Sequence, residues 1–338
     1  MNRALSYDDV LLKPQYSDIR SRSEINISSD LGKDVHMCLP ILASPMDTIS
    51  EYAMASGMSA AGACAVVHRY NTIAEQSTQI KRVGAPALVG AAVGVSGDYI
   101  DRASACLEAG ATFLCVDVAH GHHIMMREAL RQLRKRFGSR VHIMAGNVAT
   151  LEGINDLADW GADSVRCNIG GGSICSTRLQ TGHGLPGLQT IIECAQTDRD
   201  VKIIADGGIK NSGDIVKALA AGADAVMVGS LLAGATETPG EIFYDRDGLR
   251  WKTYRGMASK EAQIDWRGKY SSFEGIASQV AHQGRVEEIL HDLEKGIRSG
   301  FSYTGARTLT ELQTKAVFVE QTVSGLLESG THIRNRDR

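Results

Sequence analysis

Residues 168–178, "NIGGGSICSTR", set three consecutive glycines ahead of a cysteine flanked by serines. Glycine lets backbone N–H groups close on an anion. Oriented amides also stabilise a thiolate, the form of cysteine that attacks an electrophilic carbon. The stretch therefore reads as an anion-binding turn and a site of nucleophilic catalysis by Cys175, against the alternatives of tight turns alone and a small buried thiol. Thr177 shares the loop, and its hydroxyl becomes a proton relay once a carboxylate partners it. Glu274, in "SSFEG", is the candidate partner. Two further glycine turns, Gly207-Gly208 and Gly229-Ser230, repeat the anion-binding composition, with Ser173 and Ser230 as added hydroxyl donors. Asp206 and Asp117 read either as acceptors for a ribose diol or as caps of the helices that follow. His120, His122 and His123 invite a metal, but no second ligand cluster has matching spacing, and a solvated loop is the favoured reading.

These residues need elements to hold them. Short apolar runs recur along the 338 residues: "PILASPM", "ACAVVH", "ALVGAAVG", "FLCVDVA", "HIMAGNV", "SVRCNIG", "KIIADGG" and "AVMVGS". Most are apolar throughout, as strands buried on both faces are. Helix-period stretches ending at glycine lie between them. This alternation predicts a single-domain (β/α)₈ TIM barrel over 1–338, with a doubly wound open sheet as the rival. In a barrel the strands' C-terminal ends carry the reactive groups, and the unusual residues fall there. Residues 236–285, rich in charge, glycine and aromatics, show little regular period and read as a mobile cover over the barrel mouth. The stretch "LTELQTKAVFVEQTVSGLL" reads as a last helix packed on the barrel wall.

Composition narrows the function classes. A formal net charge of −3 with no long basic run gives no reason to expect nucleic acid. No apolar stretch is long enough to span a membrane, and no signal peptide opens the chain, so it reads as cytoplasmic. The cysteine count, 7, is odd and shows no zinc-like spacing. Cys64, Cys106, Cys115, Cys167 and Cys194 sit in apolar or helical contexts, as reduced core thiols do.

Motifs from end to end resemble the IMP dehydrogenase/GMP reductase family: "YDDVLLKP", "SPMDTISE", "VDVAHGH", "AGNVAT", "SICSTR", "IIADGGIKNSGDIVKALAAGAD", "GSLLAG" and "YRGMASKEA". The resemblance implies a barrel, assembled as a homotetramer, that binds a purine mononucleotide (GMP or IMP) and a nicotinamide cofactor. It implies that Cys175 bonds to purine C2, with Thr177 and Glu274 as the relay. Ser173, Gly207, Gly208, Gly229, Ser230 and Tyr254 would hold the phosphate, Asp206 the ribose, and Gly256, Met257 and Ala258 the base. Asp117, Val118, Ala119 and Asn147 would line the nicotinamide side, with Ser21, Arg22 and Arg69 near the cofactor's far end. Backbone carbonyls of Asn168, Gly170 and Cys175 would form a potassium site, although Asn168 and Gly171 replace a glycine and a proline usual in that loop.

Two features favour GMP reductase with NADPH. The regulatory insert that many family dehydrogenases carry after the second strand is absent. The cover segment "RGKYSSFEG" is short and carries Lys269 before Tyr270, where dehydrogenases use an Arg-Tyr pair. A dehydrogenase must evict its cofactor and bring in a water-activating base, which demands a longer moving segment. The alternatives are an IMP dehydrogenase without the insert, making XMP with NAD, and a nucleotide-sensing barrel without catalysis. "SPMDTISE", "VDVAHGH" and "VSGLLESGTH" resemble the dehydrogenase branch, and Ser271 stands where animal-type reductases carry an arginine.

Overall fold

The computed structural model describes residues 3–270 and 274–330; Ser271 lies outside them. Eight parallel strands close into a barrel: β1 (Ile41–Ala43), β2 (Cys64–Val67), β3 (Val89–Val93), β4 (Phe113–Asp117), β5 (His142–Val148), β6 (Ser164–Cys167), β7 (Lys202–Asp206) and β8 (Ala225–Val228). β8 pairs with β1 through Val226–Ile41, Met227–Leu42 and Val228–Ala43, which closes the ring. The open sheet is thereby excluded.

Strand alternation divides the core in two. Leu42, Cys64, Val66, Phe113, Met144 and Met227 point inward and fill the barrel. Ile41, Ala43, Ala65, Val67, Leu114 and Val226 point outward, under the helices. Each strand is apolar on both faces because both faces are covered. A hairpin built on Ser29–Asp30 and His36–Met37 plugs the N-terminal end with Leu31, Val35 and Met37. Cys64, Cys106, Cys115, Cys167 and Cys194 are all buried and free. Burial pushes the Cys115 thiol up to about 12 and the Cys106 thiol up to about 11. The Cys106 and Cys115 thiols stay protonated and act as small apolar side chains.

Two expectations change. The stretch after Thr308 is not one helix: Leu309–Lys315 and Val323–Glu328 are separate helices, and Phe318–Glu320 between them pairs antiparallel with Val10–Leu12. Ala316 breaks the first helix with an extended ψ of 134°. The β-branched Val317 and Val319 then suit a strand better than a continuing helix. The segment 236–285 also holds regular structure. β9 (Phe243–Tyr244), β10 (Arg250–Arg255) and β11 (Ala277–Ala281) form an antiparallel sheet, with a helix at Lys260–Arg267 between β10 and β11. Its period escapes a hydropathy reading because the buried positions of β10 are Lys252 and Tyr254. The Lys252 ammonium is satisfied by the carbonyls of Thr238 at 2.7 Å and Gly240 at 2.9 Å. A buried charge with two acceptors fills a core position that a sequence scan scores as surface.

Candidate active site

The C-terminal mouth of the barrel holds a cavity of roughly 350 Å³, within the size range of small-molecule sites. Cys175, Thr177 and Glu274 meet there. The Cys175 thiol donates to Thr177 Oγ1 at 3.1 Å, and that hydroxyl donates to Glu274 Oε2 at 2.7 Å. Three segments bring this about. Glu274 N donates to the Ala258 carbonyl at 3.1 Å, Ser176 N to the Glu274 carbonyl at 2.8 Å, and Ile276 N to the Ile174 carbonyl at 3.0 Å. The cover segment thus lies as a short strand between the cysteine loop and the turn after β10. Backbone pairing, rather than the side chains, delivers Glu274 to Thr177.

The glycine turns after β6, β7 and β8 line the same cavity with Ser173, Gly207, Gly208, Gly229 and Ser230. Tyr254, on β10, reaches over them, its hydroxyl 3.4 Å from Ser173 Oγ. Burial pushes the Tyr254 phenol up, so it stays a neutral donor. A side chain on Gly229 would come within 2.9 Å of that hydroxyl, so glycine is what permits the approach. Gly256, Met257 and Ala258 also face the cavity, held over β1 by Arg255. The Arg255 guanidinium bonds Asp47 Oδ2 at 2.6 Å and 3.0 Å, and Arg255 N donates to Thr48 Oγ1 at 3.2 Å.

Arg69, Asp117, Val118, Ala119 and Asn147 line the arc formed by β2, β4 and β5. Asn147 Nδ2 donates to Asp206 Oδ2 at 2.8 Å and to the Asn168 carbonyl at 3.1 Å. Ser21 and Arg22 do not reach this cavity. Ser21 caps a short turn of helix at Arg22–Glu24, and the Arg22 carbonyl accepts from Arg298.

The cap readings of the two aspartates fail. Asn211 caps the helix after Asp206, and His123 caps the one after Asp117. His122 pairs with Asp156 at 2.8 Å. No group of three or more metal-ligating side chains occurs among the described residues. Both aspartates bind Arg166, which the sequence reading passed over. Its guanidinium reaches Asp117 Oδ1 at 2.5 Å and Asp206 Oδ2 at 2.7 Å. Burial alone would weaken this cation, but the two carboxylates outweigh it and hold the guanidinium well above its ordinary range. The signal was present: an arginine inside the apolar strand "SVRC" must meet an anion within the barrel.

The family model for the IMP dehydrogenase / GMP reductase domain matches residues 4–332. The inosine-5'-monophosphate dehydrogenase of Nitrosopumilus maritimus is 31% identical over 468 aligned residues, covering 97% of this chain and 98% of the relative. The GMP reductase of Leishmania major is 30% identical over 475, covering 97% and 96%. Both alignments far exceed 338 residues, so relatives of either name carry a long stretch with no counterpart here. The missing insert therefore does not separate the two activities. A solved structure of a cysteine-to-alanine variant of GMP reductase from Trypanosoma brucei, in complex with guanosine 5'-monophosphate, superposes with a TM-score of 0.93 at 30% identity. That match covers 98% of each chain.

Proposed function

The chain belongs to the IMP dehydrogenase/GMP reductase family, and from that premise we propose that it is a GMP reductase, converting GMP to IMP and ammonia. Members of the family are oxidoreductases that use nicotinamide cofactors, and the Trypanosoma neighbour was solved with GMP. The observation that carries the reductive direction is the short tether of Glu274. Only residues 268–273 join it to the preceding helix, and its own backbone is tied to Ser176 and Ala258. So short a connection supplies less chain than a cofactor-displacing segment needs in the oxidative direction.

In this reading the glycine turns, Ser173, Ser230 and Tyr254 seat the phosphate, Asp206 takes the ribose hydroxyls, and Gly256 to Ala258 face the base. Cys175 gives up its proton through Thr177 to Glu274, and its sulfur bonds to purine C2. The proton returns along the same relay to the exocyclic nitrogen, which leaves as ammonia. The purine remains bonded to sulfur until C2 is reduced; the C–S bond then breaks, the electron pair returns to sulfur and IMP departs.

The cofactor's residues fit a polar group on the β2–β5 arc. Arg69 Nε is buried without a hydrogen-bond partner among the described residues, beside Asp117, Ala119 and Asn147. A bound NADPH supplies hydride there. Potassium fits less well. The Asn168 carbonyl already accepts from Asn147 Nδ2 at 3.1 Å and has one lone pair left for a cation; no step is assigned to a cation. A homotetramer and a covering role for 236–285 complete the proposal.

Two spectrophotometric assays test it. GMP-dependent loss of NADPH absorbance is expected. IMP-dependent gain of NADH absorbance without the first reaction would make the protein a dehydrogenase, and nucleotide binding without either would make it a sensor.

A further inference from the structure

Asn168, directly after β6, has φ +154°, a backbone that glycine adopts more readily than any residue with a side chain. Its side chain is nonetheless buried, at 4% exposure. Nδ2 donates to the Gly207 carbonyl at 3.2 Å. Oδ1 is buried with no hydrogen-bond partner among the described residues, so the Nδ2 bond and shape are what hold the amide.

The shape is complementary to Gly171. A side chain built there would lie 2.2 Å from Asn168 Nδ2 and 2.7 Å from Oδ1. Asn168 therefore occupies the volume that Gly171 leaves open, and the two positions share one side chain between them. The amide so placed wedges between the cysteine loop and the turn after β7. In that turn Gly207 and Gly208 have φ of +82° and +75°, and a side chain on Gly207 would touch Gly172 at 3.4 Å.

The Gly207 carbonyl and the Gly208 N–H belong to one planar trans peptide, so they point in opposite directions. Tethering the carbonyl on Asn168 fixes the direction of that N–H. Gly208 lines the cavity. We propose that Asn168 is a positioning residue for nucleotide affinity: its amide orients the Gly208 N–H toward the phosphate, and Gly171 is glycine to make room for it. This rests on the mononucleotide reading above and assigns the phosphate's grip to a side chain that does not touch it.

The test uses the full chain and four proteins: native, Asn168→Gly, Gly171→Ala and the double variant. Glycine suits the backbone at 168, so the first variant retains the fold, which a thermal melt verifies. GMP and guanosine are titrated separately, and kcat and KM are measured. Removing the tether is expected to weaken GMP about tenfold, the worth of one such hydrogen bond. Guanosine binding, which lacks the phosphate, should stay within about twofold, and KM should move more than kcat. Gly171→Ala should be damaging alone and tolerated beside Asn168→Gly, the coupling expected of neighbours that share a volume. Equal losses for GMP and guanosine, or a Gly171→Ala penalty independent of residue 168, would overturn the proposal. Failure of the native protein to bind GMP would instead sink the functional reading, so the two failures are distinguishable.

Discussion

The Thr177 hydroxyl donates to Glu274 Oε2 at 2.7 Å across 97 positions of sequence separation. With Cys175 behind it, the pair makes a proton path from sulfur to carboxylate that needs no water. Glu274→Gln preserves the shape but cannot take the proton. We expect kcat to fall by about a hundredfold or more, the usual worth of a positioned acid–base group, with GMP affinity little changed. Steady-state kinetics beside equilibrium titration measure both, and unimpaired turnover would remove Glu274 from the relay.

The covalent step makes a separate prediction. Native protein quenched during turnover should carry the mass of the purine nucleotide on the peptide containing Cys175. Cys175→Ser should carry none and lose activity by on the order of a thousandfold. Peptide mass spectrometry decides the matter, and an unmodified native peptide under several quench times would end the covalent account.

Arg166 neutralises two carboxylates at once. Arg166→Met leaves Asp206 without its cation and Asp117 with only the 4.0 Å pair to Arg69, which costs about 3–5 kcal/mol for a broken buried pair. Chemical denaturation should show that loss, and Arg166→Lys should recover part of it. If the methionine variant is as stable as the native protein, the arginine is not what holds these carboxylates.

His142 gives the fold a pH limit. The ring is fully buried at the foot of the barrel, 2.8 Å from Ser164 Oγ and edge-on to Phe113. Burial pushes it down to about 4. It is neutral in the native state, whereas the unfolded chain takes up a proton below about 6.5. Stability from this group is therefore complete above 6.5 and is lost as pH falls toward 4, by up to about 3 kcal/mol. Melting temperatures for native protein and His142→Leu across that range should converge at the acid end. Parallel curves would show that the imidazole does not set the slope.

The cover segment is anchored by a pair that mutagenesis can isolate. Arg255→Met frees both Asp47 and Asp265 and loosens the turn carrying Gly256, Met257 and Ala258, and Asp265→Asn separates the second pair from the first. KM for GMP should rise several-fold while the melting temperature drops by a few degrees, because this partly buried pair, with two nitrogens on one carboxylate oxygen, is worth more than an exposed one. An unchanged KM would show that the turn holds its place without the arginine.

What the sequence determined by itself was whatever local composition encodes. Eight apolar runs separated by helix-period stretches specify parallel strands covered on both faces, and only the pairing of β8 with β1 decided that they close into a barrel rather than an open sheet. Strand-end position then places Cys175, Asp206 and the glycine turns at one mouth. The Glu274 partnership was legible only as a candidate, since spacing says nothing about the backbone bonds that insert residues 274–276 beside residues 174–176. The arrangements decided by tertiary structure are those in which polarity is cancelled across the chain. Arg166 is bearable inside the barrel because Asp117 and Asp206 come from other strands. Lys252 is bearable inside the cover because two carbonyls fold over it. Asn168 fits because Gly171 makes way for it. Buried polar groups require partners, and which partners they obtain is fixed by packing in three dimensions.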